Sequence, residues 1–201
     1  QLVQFAAESL LERNLQYNPL VLYGPTGTGK SFLALGLAER WRQQYPQDRV
    51  IVTCGPDFAR GYANAVDTDN LSAFRKKSRA ADLFVLDDVH LLQQKRDAQS
   101  ELARAIDAVL QAGGAVLISD NSSPSADESL QPALRSRLVS GLAVPLAVPG
   151  VAARKLLLRR IAALHEVSFS DAAIDLLAGG SLESSRELTV PRLNHAVLQL
   201  G

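Results

Sequence analysis

The chain has 201 residues, of which 47% are apolar and 21% charged, the make-up of a folded globular protein with a full core and not of a disordered segment. Lysine plus arginine and aspartate plus glutamate both number 21, for a formal net charge of zero. There is no broad positive field of the kind a non-specific nucleic-acid coat carries, so any nucleic-acid contact has to be local.

The one cysteine, Cys54, excludes an internal disulfide framework and reads as a small core thiol in a reducing compartment. No apolar run reaches the roughly 18 residues of a membrane-spanning helix, and Gln1 to Leu10 lacks the basic and apolar blocks of a signal peptide. A cytoplasmic protein is expected. The start at Gln1 and the absence of methionine read as a segment of a longer product.

In chain order, the apolar run Leu20 to Tyr23 is followed at once by Gly24-Pro25-Thr26-Gly27-Thr28-Gly29-Lys30-Ser31. Beyond it Leu33, Ala34, Leu37, Ala38 and Trp41 recur at helical spacing. A glycine stretch of this spacing between a strand and a helix is a phosphate cradle. Successive backbone N–H groups can curl around phosphate oxygens, the helix N-terminus adds partial positive charge, and glycines remove the Cβ atoms that would block the approach. Lys30 would meet the terminal phosphates and Ser31 a Mg²⁺ ion.

The next short runs are Val50 to Thr53, Leu83 to Leu86, Ala115 to Ser119 and Leu142 to Leu146. Runs this short, without polar alternation, predict strands buried on both faces of a parallel sheet, hence a three-layer α/β core with five strands. Asp87 and Asp88 end the third strand, where two adjacent carboxylates would repel each other unless a cation sat nearby. Asp87 reads as the metal-side acid and Asp88 as the one that orients water. Ser119-Asp120-Asn121 ends the fourth strand, where a role beside the phosphates and a plain turn account for the residues equally well. Leu134-Arg135-Ser136-Arg137-Leu138 sets two arginines, the residue of bidentate phosphate recognition, ahead of the fifth strand.

After Pro145 and Pro149 the pattern is helical only, over Val151 to His165, Asp171 to Leu177 and Thr189 to Leu200. The expected division is therefore a nucleotide-binding core over 1–148 and a small helical lid over 149–201. Asp67 to Asn70 lacks the glycine and terminal glutamate of a calcium loop and reads as a turn with a helix cap. His90, His165 and His195 show no metal-ligand spacing and read as surface or packing residues.

Across nearly its whole length this arrangement resembles the AAA+ domain of the bacterial replication initiator family DnaA. Asn18-Pro19-Leu20-Val21-Leu22-Tyr23-Gly24 is similar to the family's approach to its phosphate loop. Asp82 to Leu92, DLFVLDDVHLL, is similar to its second nucleotide motif, with Gln99, Glu101 and Leu102 on the helix that follows. Leu117 to Asp120 resembles the sensor 1 strand, and Leu134 to Leu138 the arginine-finger box, which sets the finger on Arg137.

The resemblance implies an AAA+ P-loop NTPase fold and an assembly switch using ATP, ADP and Mg²⁺. Weak hydrolysis would reset the switch, and Arg137 would read the ATP of a neighbouring copy in a homo-oligomer that binds single-stranded and origin DNA and opens the origin. The replicative helicase and regulatory proteins would be further partners. The family's DNA contacts fall on segments that here carry Arg75, Lys76, Lys77 and Arg79, and then Lys95 and Arg96, where a solvated basic face is the plainer alternative. One departure stands out. The lid motif Val-Arg-Glu-Leu of the family is here Val190-Pro191-Arg192-Leu193, which moves the expected γ-phosphate sensor to Arg192 or to the earlier Arg186. A regulatory paralogue that stimulates an initiator's hydrolysis and a helicase-loading or remodelling ATPase are the rival functions.

Overall fold

The structure is a computed structural model, and it describes residues 1–179 and 189–200. The chain divides into two compact units, one of residues 1–24 and 30–145, the other of residues 25–29 and 146–201.

The first unit is built on five parallel strands: β1 (Leu20–Tyr23), β2 (Val50–Cys54), β3 (Leu83–Asp87), β4 (Ala115–Asp120) and β5 (Leu142–Pro145). Their order across the sheet is β2-β3-β4-β1-β5. All four residues of β1 but Tyr23, the whole of β4, and β3 up to its terminal Asp87 are buried, as continuous apolar runs in a covered parallel sheet require. Register brings the carboxyl ends of neighbouring strands level, with Tyr23 beside Asp120 and Cys54 beside Asp87. The carboxyl edge of such a sheet, where strand order reverses, is where open α/β folds bind ligands.

Helices α1 (Leu2–Leu11), α2 (Lys30–Gln44), α3 (Gly55–Asp67), α4 (Leu71–Arg79), α5 (Arg96–Gln111) and α6 (Pro132–Ser140) complete the unit. On α2 the predicted face is buried at Ala34, Leu37, Ala38 and Trp41, while Leu33 is only half-buried. On α5 the buried face runs Ala98, Leu102, Ala105, Ile106 and Val109, and it carries two polar members, Gln99 and Glu101. Gln99 is satisfied: its Nε2 donates to Leu92 O at 2.9 Å and Ser129 O at 3.2 Å, and its Oε1 accepts from the Gln131 N–H at 2.6 Å. Phe58, Phe84, Leu86, Leu102, Ile106 and Leu134 belong to one core cluster, each contributing about 1.5–3 kcal/mol by its burial. Cys54 is half-buried at the end of an edge strand, a correction to the expected core thiol. The chain does turn at Asp67 to Asn70, with Asp69 at φ +52°, and Asn70 stands at the N-cap of α4, though its side chain makes no cap bond there.

The second unit holds α7 (Val151–Leu164), α8 (Asp171–Gly179) and α9 (Val190–Leu200). Leu158, Ala162, Ile174, Ala178, Leu193 and Val197 form its core, and Lys155 pairs with Asp175 at 2.7 Å. No helix among the described residues is long and apolar enough to cross a membrane.

Candidate nucleotide site

Within the second unit, the glycine loop 25–29 is held by the start of α9. The Val190 N–H donates to Gly27 O at 3.0 Å, and Thr28 Oγ1 donates to Pro25 O at 3.0 Å. Gly27 has φ +84°, and a Cβ there would lie 2.5 Å from the Thr189 methyl group. Glycine at this position therefore answers both the left-handed backbone and the close approach.

Within the first unit, the carboxyl edge of the sheet gathers the polar residues. The Gly24 N–H donates to Asp120 O at 3.3 Å, and Lys30 Nζ donates to Gly24 O at 2.7 Å. Lys30 is 6% exposed. Burial pulls its ammonium below the usual lysine range, while the charges of Asp88, Asp87 and Asp120 oppose that pull. Ser31, next on α2, is half-buried.

Asp87 and Asp88 are tied together by Ser119, the first of the polar residues that the sequence sets at the end of the fourth strand. Ser119 Oγ donates to Asp87 Oδ1 and accepts the Asp88 N–H at 2.8 Å. Ser119 is fully buried on β4, so one hydroxyl fixes both acids. Asp88 itself is left-handed, at φ +55° and ψ +56°, a conformation that costs a non-glycine residue on the order of 1–2 kcal/mol. Gly55 makes room for it, because a Cβ there would stand 2.6 Å from Asp88 O.

Asp120 is fully buried. Burial pushes its carboxyl up to about 6, against the hydrogen bond that Oδ1 accepts from the Asn121 N–H at 2.7 Å. Its Oδ2 has no hydrogen-bond partner among the described residues. His90, expected to serve only packing or the surface, stands between the acids: its Nδ1 is 3.8 Å from Asp88 Oδ1 and 4.0 Å from Asp120 Oδ1. The sequence sets Ser119 at a strand end but does not pair it with the acids, which it meets from about 30 residues away, and it gives His90 no sign of Asp120, which lies equally far along the chain.

Arg137 lies on α6 and does not join this cluster. Its Nε and Nη2 grip Asp107 of α5 at 3.0 and 2.9 Å, and Nη1 donates to Ala133 O at 3.0 Å. Arg192 is in the first turn of α9, its side chain outside the described residues, and Arg186 lies outside them altogether. Of the basic residues, Arg75 and Arg79 are turned to the buried Glu101, at 2.8 and 3.4 Å. Lys76, Lys77, Lys95 and Arg96 are exposed. Lys77 borders a groove of about 530 Å³ along the free edge of β2, with Arg42 also on its wall and Ile51, Phe58 and Phe74 in its lining.

The family model of the bacterial DnaA ATPase domain matches residues 1–145. The chromosomal replication initiator protein DnaA of Caulobacter vibrioides strain NA1000 is 33% identical over 180 residues, covering 86% of this chain and 36% of the relative. That of Levilactobacillus brevis is 28% identical over 177 residues, covering 88% and 39%. The chain thus spans little more than a third of the length of these relatives. Among solved structures, domain III of the Thermotoga maritima replication initiation protein DnaA superposes with a TM-score of 0.90 at 24% identity, over 99% of this chain and 81% of the other. The AMPPCP-bound DnaA of Aquifex aeolicus gives 0.82 at 22%, over 99% and 58%. The RuvB of Thermotoga maritima gives 0.67 at 23%, over 98% and 59%. These likenesses show the shared AAA+ fold, and together with the sequence matches they lead to one conclusion: the chain belongs to the bacterial DnaA ATPase-domain family.

Proposed function

We propose that this chain is the ATP-binding AAA+ domain of a replication initiator, one that assembles on single-stranded origin DNA when it holds ATP and resets by slow hydrolysis. The observation that carries the reading is the buried Lys30 beside Asp87, Asp88 and Asp120 at the carboxyl edge of the sheet, in a chain of this family. A buried ammonium facing carboxylates suits a ligand that is anionic and brings its own cation. The residues present fit nucleoside triphosphate with Mg²⁺, since one or two carboxylates, a hydroxyl and phosphate oxygens are the usual surroundings of that ion.

The roles follow from the chemistry of each group. Gly24, Pro25, Thr26, Gly27, Thr28 and Gly29 form the phosphate loop, and Lys30 binds the terminal phosphates. Ser31 and Asp87 would hold Mg²⁺, which when bound neutralises charge on the phosphate oxygens. Asp88, half-exposed and fixed through its N–H by Ser119, orients the attacking water. Asp120 would act as the family's sensor 1, Arg192, one place beyond the proline that occupies the lid-sensor position, would take over that sensor's work, and Arg137 would address the ATP of the next copy. Two solved relatives support the ligands: one is a DnaA bound to AMPPCP, the other a DnaA bound to AMPPCP and single-stranded DNA. On this chain Lys76, Lys77, Lys95 and Arg96 are the exposed cations for a DNA backbone.

Lys30→Ala tests the site. Fluorescent-nucleotide titration should show ATP affinity reduced by at least about a hundredfold, the range lost when a buried charge-assisted contact goes, with an unchanged circular dichroism spectrum. ATP binding equal to that of the parent would remove the lysine from the site.

A further inference from the structure

The finger assignment of Arg137 leaves open what holds a long, flexible side chain in a useful pose. Arg137 stands on α6, whose Leu134 and Leu138 are fully buried in the core cluster that also takes Ile106 and Val109 of α5. The base of the side chain is therefore fixed relative to α5. One residue beyond Ile106, Asp107 meets the guanidinium edge on: Nε lies 3.0 Å from Oδ1 and 3.2 Å from Oδ2, and Nη2 lies 2.9 Å from Oδ2. Nη1 donates to Ala133 O at 3.0 Å. A guanidinium has five N–H donors in a rigid planar fork. These bonds take one donor on each nitrogen, which leaves one on each terminal nitrogen for a further acceptor.

We propose that Asp107 is the positioning residue of the Arg137 finger: its carboxylate holds one edge of the guanidinium so that the remaining terminal N–H pair is presented, already ordered, to the phosphate of a neighbouring copy. The inference rests on the trans-contact reading of Arg137. Both side chains are a little over one third exposed, at 36% and 37%, so the pair adds little to stability by itself while restricting a side chain that otherwise samples many rotamers. Ordering a side chain in advance is what strengthens an interface without adding a contact to it.

The alternative sign is that the carboxylate competes with phosphate and holds the finger back. The two differ in what removing Asp107 does. As a positioning residue, Asp107→Ala should raise the protein concentration for half-maximal ATP-dependent sedimentation on single-stranded DNA by roughly three- to tenfold, the cost of immobilising one long side chain per interface. Asp107→Glu should recover part of that loss, and ATP affinity measured at concentrations below assembly should stay at the parent value in both variants. An unchanged or lowered threshold for Asp107→Ala, alongside failure of Arg137→Ala to assemble, overturns the inference and leaves the finger reading standing. Should Arg137→Ala assemble as the parent does, the finger reading falls, and the role of Asp107 with it.

Discussion

Ser119 and Asp120 are adjacent on β4, yet they do opposite things at the carboxyl edge. Ser119 is satisfied, giving its hydrogen to Asp87 and taking the Asp88 N–H. Asp120 is a buried acid with one oxygen unpartnered among the described residues. Its folded value of about 6 lies above the ordinary 3.8, so the protonated form is the one the fold favours. That contribution is complete below the unfolded value and is lost as pH rises through the folded one. Asp120→Asn keeps an oxygen for the Asn121 N–H and removes the titration. Urea unfolding without nucleotide should therefore show the parent losing about 1–3 kcal/mol relative to the variant between about pH 4 and pH 7.5. A stability difference that does not change across that range would place the titration elsewhere.

At the level of elements, α4 is clamped to α5 by a single buried carboxylate. Glu101, with no exposed side-chain surface, receives Arg75 in a bidentate pair at 2.9 and 2.8 Å, with Arg79 and Arg104 at 3.4 and 3.3 Å. Burial pushes its carboxyl up, but the hydrogen bonds from Arg75 and Arg104 and the charges of Arg75 and Arg79 outweigh it, and the net shift is downward. The clamp therefore holds above the usual carboxylate range and weakens only as pH falls through the lowered value. Four neighbouring cations on one helix thus divide into two that face an acid and two, Lys76 and Lys77, that face solvent. Arg75→Ala should lower stability by about 1–2 kcal/mol, because Glu101 stays buried with weaker partners, discounted for the solvent-facing guanidinium. The double substitution Lys76→Ala with Lys77→Ala should leave the unfolding midpoint alone. It should instead lower single-stranded DNA affinity and flatten its log–log salt dependence by about 0.7 for each phosphate no longer neutralised. Loss of stability from the lysine pair, or loss of DNA binding from neither change, would reject this division.

For the molecule as a whole, the initiator reading requires that ATP be read between copies. Arg137 is bonded to Asp107 and Ala133 and not to the acids at the carboxyl edge of its own sheet. Arg137→Ala should accordingly bind ATP within about twofold of the parent, since the substitution leaves its own site intact, yet stay unassembled on single-stranded DNA in light scattering with ATP. The parent should assemble with ATP and not with ADP. Assembly of the variant, or equal assembly of the parent in both nucleotides, would remove the initiator's mechanism and favour the regulatory paralogue.

The sequence by itself determined the strands, the glycine turn and the position of the acid pair. A run such as Leu83-Phe84-Val85-Leu86 without polar alternation is stable only when covered on both faces, and an acid directly after it must emerge at the end of the strand. Glycines 27 and 29 announce positive φ in the same local way. The helix α1 ahead of β1 carries no such signal, and the half-buried state of Cys54 depends on β2 lying at the sheet edge, which strand order alone decides. The tertiary structure also decided which polar groups meet. Ser119 reaches the Asp pair across 31 and 32 residues, Arg137 reaches Asp107 across 30, and Arg75 reaches Glu101 across 26. Backbone conformation is set by near neighbours and by two-sided burial, both written into short stretches of sequence. The partner of a buried hydroxyl or a guanidinium is set instead by strand register and helix packing, which exist only once distant segments have been brought together.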